Sequence, residues 1–152
     1  MKVSQHDRFQ LIEDEKDNVA EFGTFLEYII PKEFSGENVV IDLMKYNPLT
    51  LPELLSFLVV SNKHRATKKS FVIVNDSIDP DVIPEELIVV PTLPEAEDVI
   101  ELEEIERDLG FWVKYIKKRN ISKVLKNSIH KNSTPLIIAL LLIVSTVGIV
   151  LF

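Results

Sequence analysis

Three short β-branched runs, NVVIDL (38–43), SFVIVND (70–76) and LIVV (87–90), constrain the fold of this 152-residue chain more than any other feature. Each has an apolar centre and is too short for a helix, which is the pattern of a strand buried on both faces of a sheet. Two of them lead within a few residues into the same tetrapeptide, Thr-Leu-Pro-Glu, at 50–53 and 92–95. In a capping box the threonine hydroxyl accepts from the N–H three residues on, while the glutamate there reaches back to the threonine N–H. Thr50 with Glu53 and Thr92 with Glu95 have that spacing, and the proline falls in the first turn, where a missing N–H costs nothing. The repeated punctuation therefore predicts two strand-to-helix junctions, with helices LPELLSFLVVSNKHRA (51–66) and LPEAEDVIELEEIERDLG (93–110).

Upstream, RFQLI (8–12) reads as a strand. NVAEFGTFLEYIIPKEF places Val19, Phe22, Phe25, Leu26, Ile29 and Ile30 at helical spacing, with Asn18 as the cap and Pro31 as the end. The last helix offers Ala96, Val99, Ile100, Ile105 and Leu109 as its buried face, and Gly110 as its stop. Strands alternating with helices predict an α/β domain over 1–110, a mainly parallel or mixed sheet with flanking helices.

The net charge of −7 conceals a split. Residues 1–110 hold all 24 acidic residues and carry −14, whereas 111–152 carry +7 and no acid. The cations are Lys114, Lys117, Lys118, Arg119, Lys123, Lys126 and Lys131, interleaved with Phe111, Trp112 and Tyr115. Residues 135–152, PLIIALLLIVSTVGIVLF, follow with no charge at all. As a helix this run reaches roughly 27 Å, close to a bilayer core of about 30 Å. A buried core helix or a last strand is the bland alternative, but the only polar side chains are Ser145 and Thr146. We expect a basic juxtamembrane segment (111–134) lying along an anionic surface, then a single-pass C-terminal transmembrane anchor. The positive-inside rule places the N-terminal domain in the cytoplasm. Nothing in MKVSQHDRFQ suggests an export leader, and a nucleic-acid partner is not expected beside so acidic a domain.

The order from Phe9 to Gly110 resembles the STAS domain of bacterial anti-sigma factor antagonists: strand, helix, VVIDL, a helix opened by TLPE, FVIVND, then LIVVPTLPEAEDVI. That resemblance implies a non-enzymatic, regulatory module that binds a partner protein. In the antagonists a phosphorylatable serine sits where the helix after the VVIDL-like strand begins. Here that stretch is DLMKYNPLTLPEL, without the Asp-Ser pair, so Thr50 is the candidate regulatory phosphoacceptor and otherwise an N-cap. HRATKKSFVIVND and PEELIVVPTLPEAEDVIELEEIERDLGF also resemble short bacterial proteins named ribonuclease Z. That name implies a metal site beginning H-x-H-x-D-H, which His6, His64 and His130 do not form.

Other chemistry is sparse. With no cysteine there is no thiol nucleophile, disulfide or cysteine-based zinc site, and four glycines leave no phosphate loop. Asp42 and Asp76 end two strands, with Asp79 and Asp81 nearby. They are the strand-end ligand site of the competing reading, a Mg²⁺-dependent phosphotransfer or nuclease-type enzyme, and otherwise turn residues. Lys63, His64, Arg65, Lys68 and Lys69 either offset a helix dipole or bind an anion. The acids of the last helix are a solvated face or a partner surface. No cofactor or metal is expected; the partners are an unidentified protein and the membrane. A homo-oligomer held by the tail is a third reading, although the tail lacks G-x-x-x-G.

Overall fold

The computed structural model describes residues 1–118, with side chains to residue 110. Strands β1 (Lys2–Gln5), β2 (Gln10–Glu13), β3 (Val39–Asp42), β4 (Phe71–Val74) and β5 (Val89–Val90) form one sheet in the order β1-β2-β3-β4-β5. β1 runs antiparallel to β2, and β2 through β5 are mutually parallel, so the sheet is mixed. Helix α1 (Val19–Glu33) connects β2 to β3, and α2 (Leu51–Leu55) with α3 (Leu58–Ala66) connects β3 to β4. A single 3₁₀ turn at Pro80–Val82 lies between β4 and β5, and α4 (Leu93–Lys118) follows β5. Met1–Ile105 is one compact unit, and a second unit begins at Glu106.

The pleat sorts the strand residues onto two faces. Ile12, Ile41 and Ile73 are register partners on one face, where they pack with Phe22, Leu26 and Ile30 of α1, with Leu54 of α2, with Phe57 between the helices and with Val60 of α3. Leu11, Val40 and Val72 point the other way, onto Phe9 and onto Ala96 and Ile100 of α4. Val39 to Ile41 and Phe71 to Ile73 are all fully buried, which explains why those runs are continuously apolar instead of alternating. Each fully buried Ile or Leu contributes about 1.5–3 kcal/mol relative to exposure. Where β5 follows β4 without a helix, Ile78 and Leu87 of the connecting loop cover the first face.

One strand goes unread in the sequence, and three expectations are corrected. β1 is not legible in KVSQ; it exists through pairing with β2, closed by the His6 N–H to Phe9 carbonyl bond of 2.9 Å and by stacking of the two rings at 4.7 Å. Pro31 lies inside α1 rather than ending it, because in the last turn it forfeits one bond; the Phe34 N–H still reaches Ile30 carbonyl at 2.9 Å. The helix predicted over 51–66 breaks at Ser56–Phe57 into α2 and α3. At that break Ser56 approaches Gly23 of α1 so closely that a Cβ on Gly23 would lie 2.4 Å from Ser56 Oγ. Finally, α4 continues through Gly110 to Lys118, and Ile105 and Leu109 are exposed instead of buried. An isolated helical glycine costs only about 1 kcal/mol, so it stops a helix only where other signals agree.

Candidate functional site

In a parallel sheet the loops that leave the carboxyl ends of the strands are the natural site for ligands. Here three such loops are bound to one another. Asn75, just past β4 and buried, is their hub: its Nδ2 donates to the carbonyls of Leu43 (2.9 Å) and Tyr46 (3.0 Å). Its Oδ1 accepts from the N–H groups of Ser77 (3.0 Å) and Ile78 (3.2 Å) and from the Ser77 hydroxyl (2.8 Å). Ser77 Oγ in turn accepts from the Leu49 N–H at 3.0 Å, which fixes the approach to α2.

The β2–α1 loop joins through Asp14. The Tyr46 hydroxyl donates to its carboxylate, the Lys16 N–H donates to Oδ1 at 2.9 Å, and Lys45 Nζ donates to its backbone carbonyl at 2.7 Å. Burial alone would raise the pKa of Asp14, but the Tyr46 bond, the Lys16 N–H and the Lys45 charge outweigh it and hold the group below the usual carboxylate value. Burial, and then Asp14, push the Tyr46 phenol upward, so it stays a donor. Beside this knot Asp14, Lys16, Asn18, Glu21, Phe22 and Phe25, with Met1, line a depression of about 290 Å³. The sequence marks none of Asp14, Tyr46 or Asn75, because nothing local distinguishes a residue whose partners lie about thirty positions away.

Thr50 caps α2 as its spacing predicts. Glu53 Oε2 accepts both the Thr50 N–H (2.8 Å) and its hydroxyl (2.7 Å), and these bonds lower the Glu53 pKa. A phosphate on Thr50 would meet that carboxylate, and α2 is only five residues long. At the second copy the Thr92 hydroxyl donates to Glu95 Oε1 at 2.9 Å and accepts from the Glu95 N–H at 3.4 Å. Exposed apolar side chains occur along this stretch: Met44 before α2, Leu55 as its last residue and Val59 in α3.

The strand-end aspartates act locally. Asp42 accepts the Met44 N–H at 2.8 Å, Asp79 accepts the Asp81 N–H at 3.0 Å, and Asp76 is exposed. Among the described residues no three His, Cys, Asp or Glu side chains are grouped to hold a metal ion. The basic cluster at the end of α3 is dispersed. His64 turns inward, its Nε2–H donating to Glu37 carbonyl at 2.8 Å, and Arg65 pairs with Glu103 at 2.9 Å. Lys68 takes the left-handed conformation, φ 67°, that closes the helix.

At the opposite end of the sheet α4 is pinned by its acids. Glu104 accepts from Arg8 Nη1 (3.0 Å) and from the Asn38 amide (2.8 Å), and Glu101 from Arg8 Nη2 (3.3 Å). So Glu101, Glu103 and Glu104 hold the helix to the body, while Glu95, Glu97, Asp98 and Glu106 face solvent.

Arg119, Lys123, Lys126, Lys131 and residues 135–152 lie outside the described residues, as do the side chains of Lys114, Lys117 and Lys118. Among the described residues no helix is long and apolar enough to cross a membrane. No family model matches the chain, and no curated protein matches it.

Proposed function

We propose that the chain is a STAS-like, non-enzymatic interaction module with a regulatory role, held at the cytoplasmic face of the membrane by residues 135–152. The observation that carries the reading is the way the carboxyl-end loops are used. Asn75, Tyr46 and Asp14 tie these loops to one another through their hydrogen bonds, and Met44 before α2, Leu55 at its end and Val59 in α3 are exposed. A rigid loop platform edged with apolar side chains suits the docking of a protein surface. The element order also supports it, with one antiparallel N-terminal strand, three parallel pairs and a capped helix after β3. The anchor rests on the sequence alone, on an 18-residue run without charge beside a segment of +7.

The test is site-directed photo-cross-linking in cells that make the full chain. A cross-linker at Leu55 should give one discrete protein adduct in the membrane fraction, and one at exposed Asp79 should give none. Absence of an adduct from Leu55, Met44 and Val59 alike contradicts the docking surface.

A further inference from the structure

Helix α1 carries one line of side chains on its outer surface that the body leaves open. Val19, Phe22, Leu26 and Ile30 pack into the core, whereas Phe25 and Tyr28 remain 44% and 67% exposed. Glu21, Phe25, Tyr28 and Lys32 follow one another at intervals of four, three and four residues, the spacing of a coiled-coil seam. The side chains bear out the alignment. Lys32 Nζ stands 5.7 Å from the centre of the Tyr28 ring, and Glu21 and Phe25 border the same depression of about 290 Å³. The seam is thus two exposed rings between an acid at one end and a base at the other.

We infer that α1 of a second copy covers this seam, in the antiparallel sense. The order acid, ring, ring, base chooses both the occupant and its direction. With the two-fold axis between Phe25 and Tyr28, Glu21 of each copy lies opposite Lys32 of the other, and Phe25 lies opposite Tyr28. A parallel pair would instead set Glu21 against Glu21 and Lys32 against Lys32, which is unfavourable at both ends. Glu27 and Glu33, the other acids of α1, lie more than a quarter turn off the seam, so no like charges of the two helices meet across it. Tyr28 of the second copy, opposite Phe25 and one turn from Glu21, stands at the rim of the depression that these two residues border, which gives its ring room. The inference goes beyond the tethered-module reading and does not depend on it, since the pairing uses α1 alone.

The chain has no cysteine, so single thiols report the pairing without background. Full-length Glu21→Cys and Lys32→Cys chains, purified in detergent, are treated with a short thiol-to-thiol cross-linker, each alone and then mixed. A mixed pair keeps one of its two Glu21–Lys32 contacts. Antiparallel pairing predicts a dimer band from the mixture and little from either chain alone, because the two copies of position 21 are then roughly 16 Å apart along the helices. Adding Tyr28→Ala to both chains should abolish the band and leave the helix content by circular dichroism unchanged, because Tyr28 is exposed. Self-cross-linking of either chain alone would mean parallel pairing, a band that survives Tyr28→Ala would mean a contact made elsewhere, and no band in any lane would mean no pairing; each overturns the inference. Photo-cross-linking from Leu55 has its own outcome, so the two readings fail separately.

Discussion

Asn75 concentrates more of the loop architecture than any other side chain, and its removal leaves two carbonyls and two N–H groups without their partner. Unsatisfied buried polar groups cost about 1–3 kcal/mol each, partly relieved by water, so Asn75→Ala should lose roughly 3 kcal/mol in urea unfolding. Exposed Asp76→Ala next to it should stay within about 0.5 kcal/mol. Equal effects would remove Asn75 from its central place. Gly23 tests the α1 approach to α2 in the same way. Gly23→Ala should cost about 1–3 kcal/mol through overpacking against Ser56, and Ser56→Gly in the same chain should recover much of it. An additive double variant would contradict the contact. His64 sets a pH dependence. Burial first, and the Lys69 charge with it, lower its pKa against the opposing bond to Glu37, so the folded state binds this proton less readily than the unfolded chain. The unfolded chain binds that proton near pH 6.5, so the His64 contribution makes stability rise with pH up to about 6.5 and level off above it. The window for Asp14 lies lower. Its folded pKa is depressed, so its stabilisation is present above about pH 4 and is lost as pH falls further. His64→Gln should flatten the slope just below about pH 6.5 and leave the acid limb unchanged. An unchanged upper slope would refute the assignment.

At the scale of elements, how α4 docks is the most direct test of the three-layer arrangement. Ala96 is fully buried against the second face of the sheet and Glu97 beside it is exposed. Ala96→Leu should cost about 1–3 kcal/mol, and Glu97→Leu about 0.5 kcal/mol or less. The same cost at both positions would mean that α4 does not lie on the sheet as described. The elements with a strong local signal are legible in the sequence. β3 and β4 follow from their β-branched runs, and α1 from its 3.6-residue period and Asn18 cap. The starts of α2 and α4 follow from the repeated TLPE. The features that are not legible are decided by distant contacts. β1 is a strand only because β2 offers it an edge, and the break at Ser56–Phe57 coincides with the contact that Gly23 makes from α1. Ile105 and Leu109 fit a buried helical face equally well by period, but the second sheet face is already covered as far as Ile100. Asp42 and Asp76 are legible as strand-end acids; the Asp14–Tyr46–Asn75 network is not, since each of its members looks like ordinary loop chemistry alone.

For the whole molecule, the division of charge is the organising property. The body of 1–110 at −14 would be repelled by an anionic bilayer, whereas in the proposed module 111–134 at +7 would be drawn to it by about 1 kcal/mol for each cation near the surface. In the tethered module proposed above, this division of charge would favour the body in water and 111–134 at the membrane surface. The measurement that bears most directly on the account is fractionation of cells that make the full chain or a chain stopped after Lys118, where α4 ends. The membranes are washed at alkaline pH, which strips proteins held only by charge. The account predicts that the full chain stays in the washed membrane and the shortened chain is soluble and folded. If the full chain is also released, residues 135–152 are not an anchor, and the tethered module is wrong.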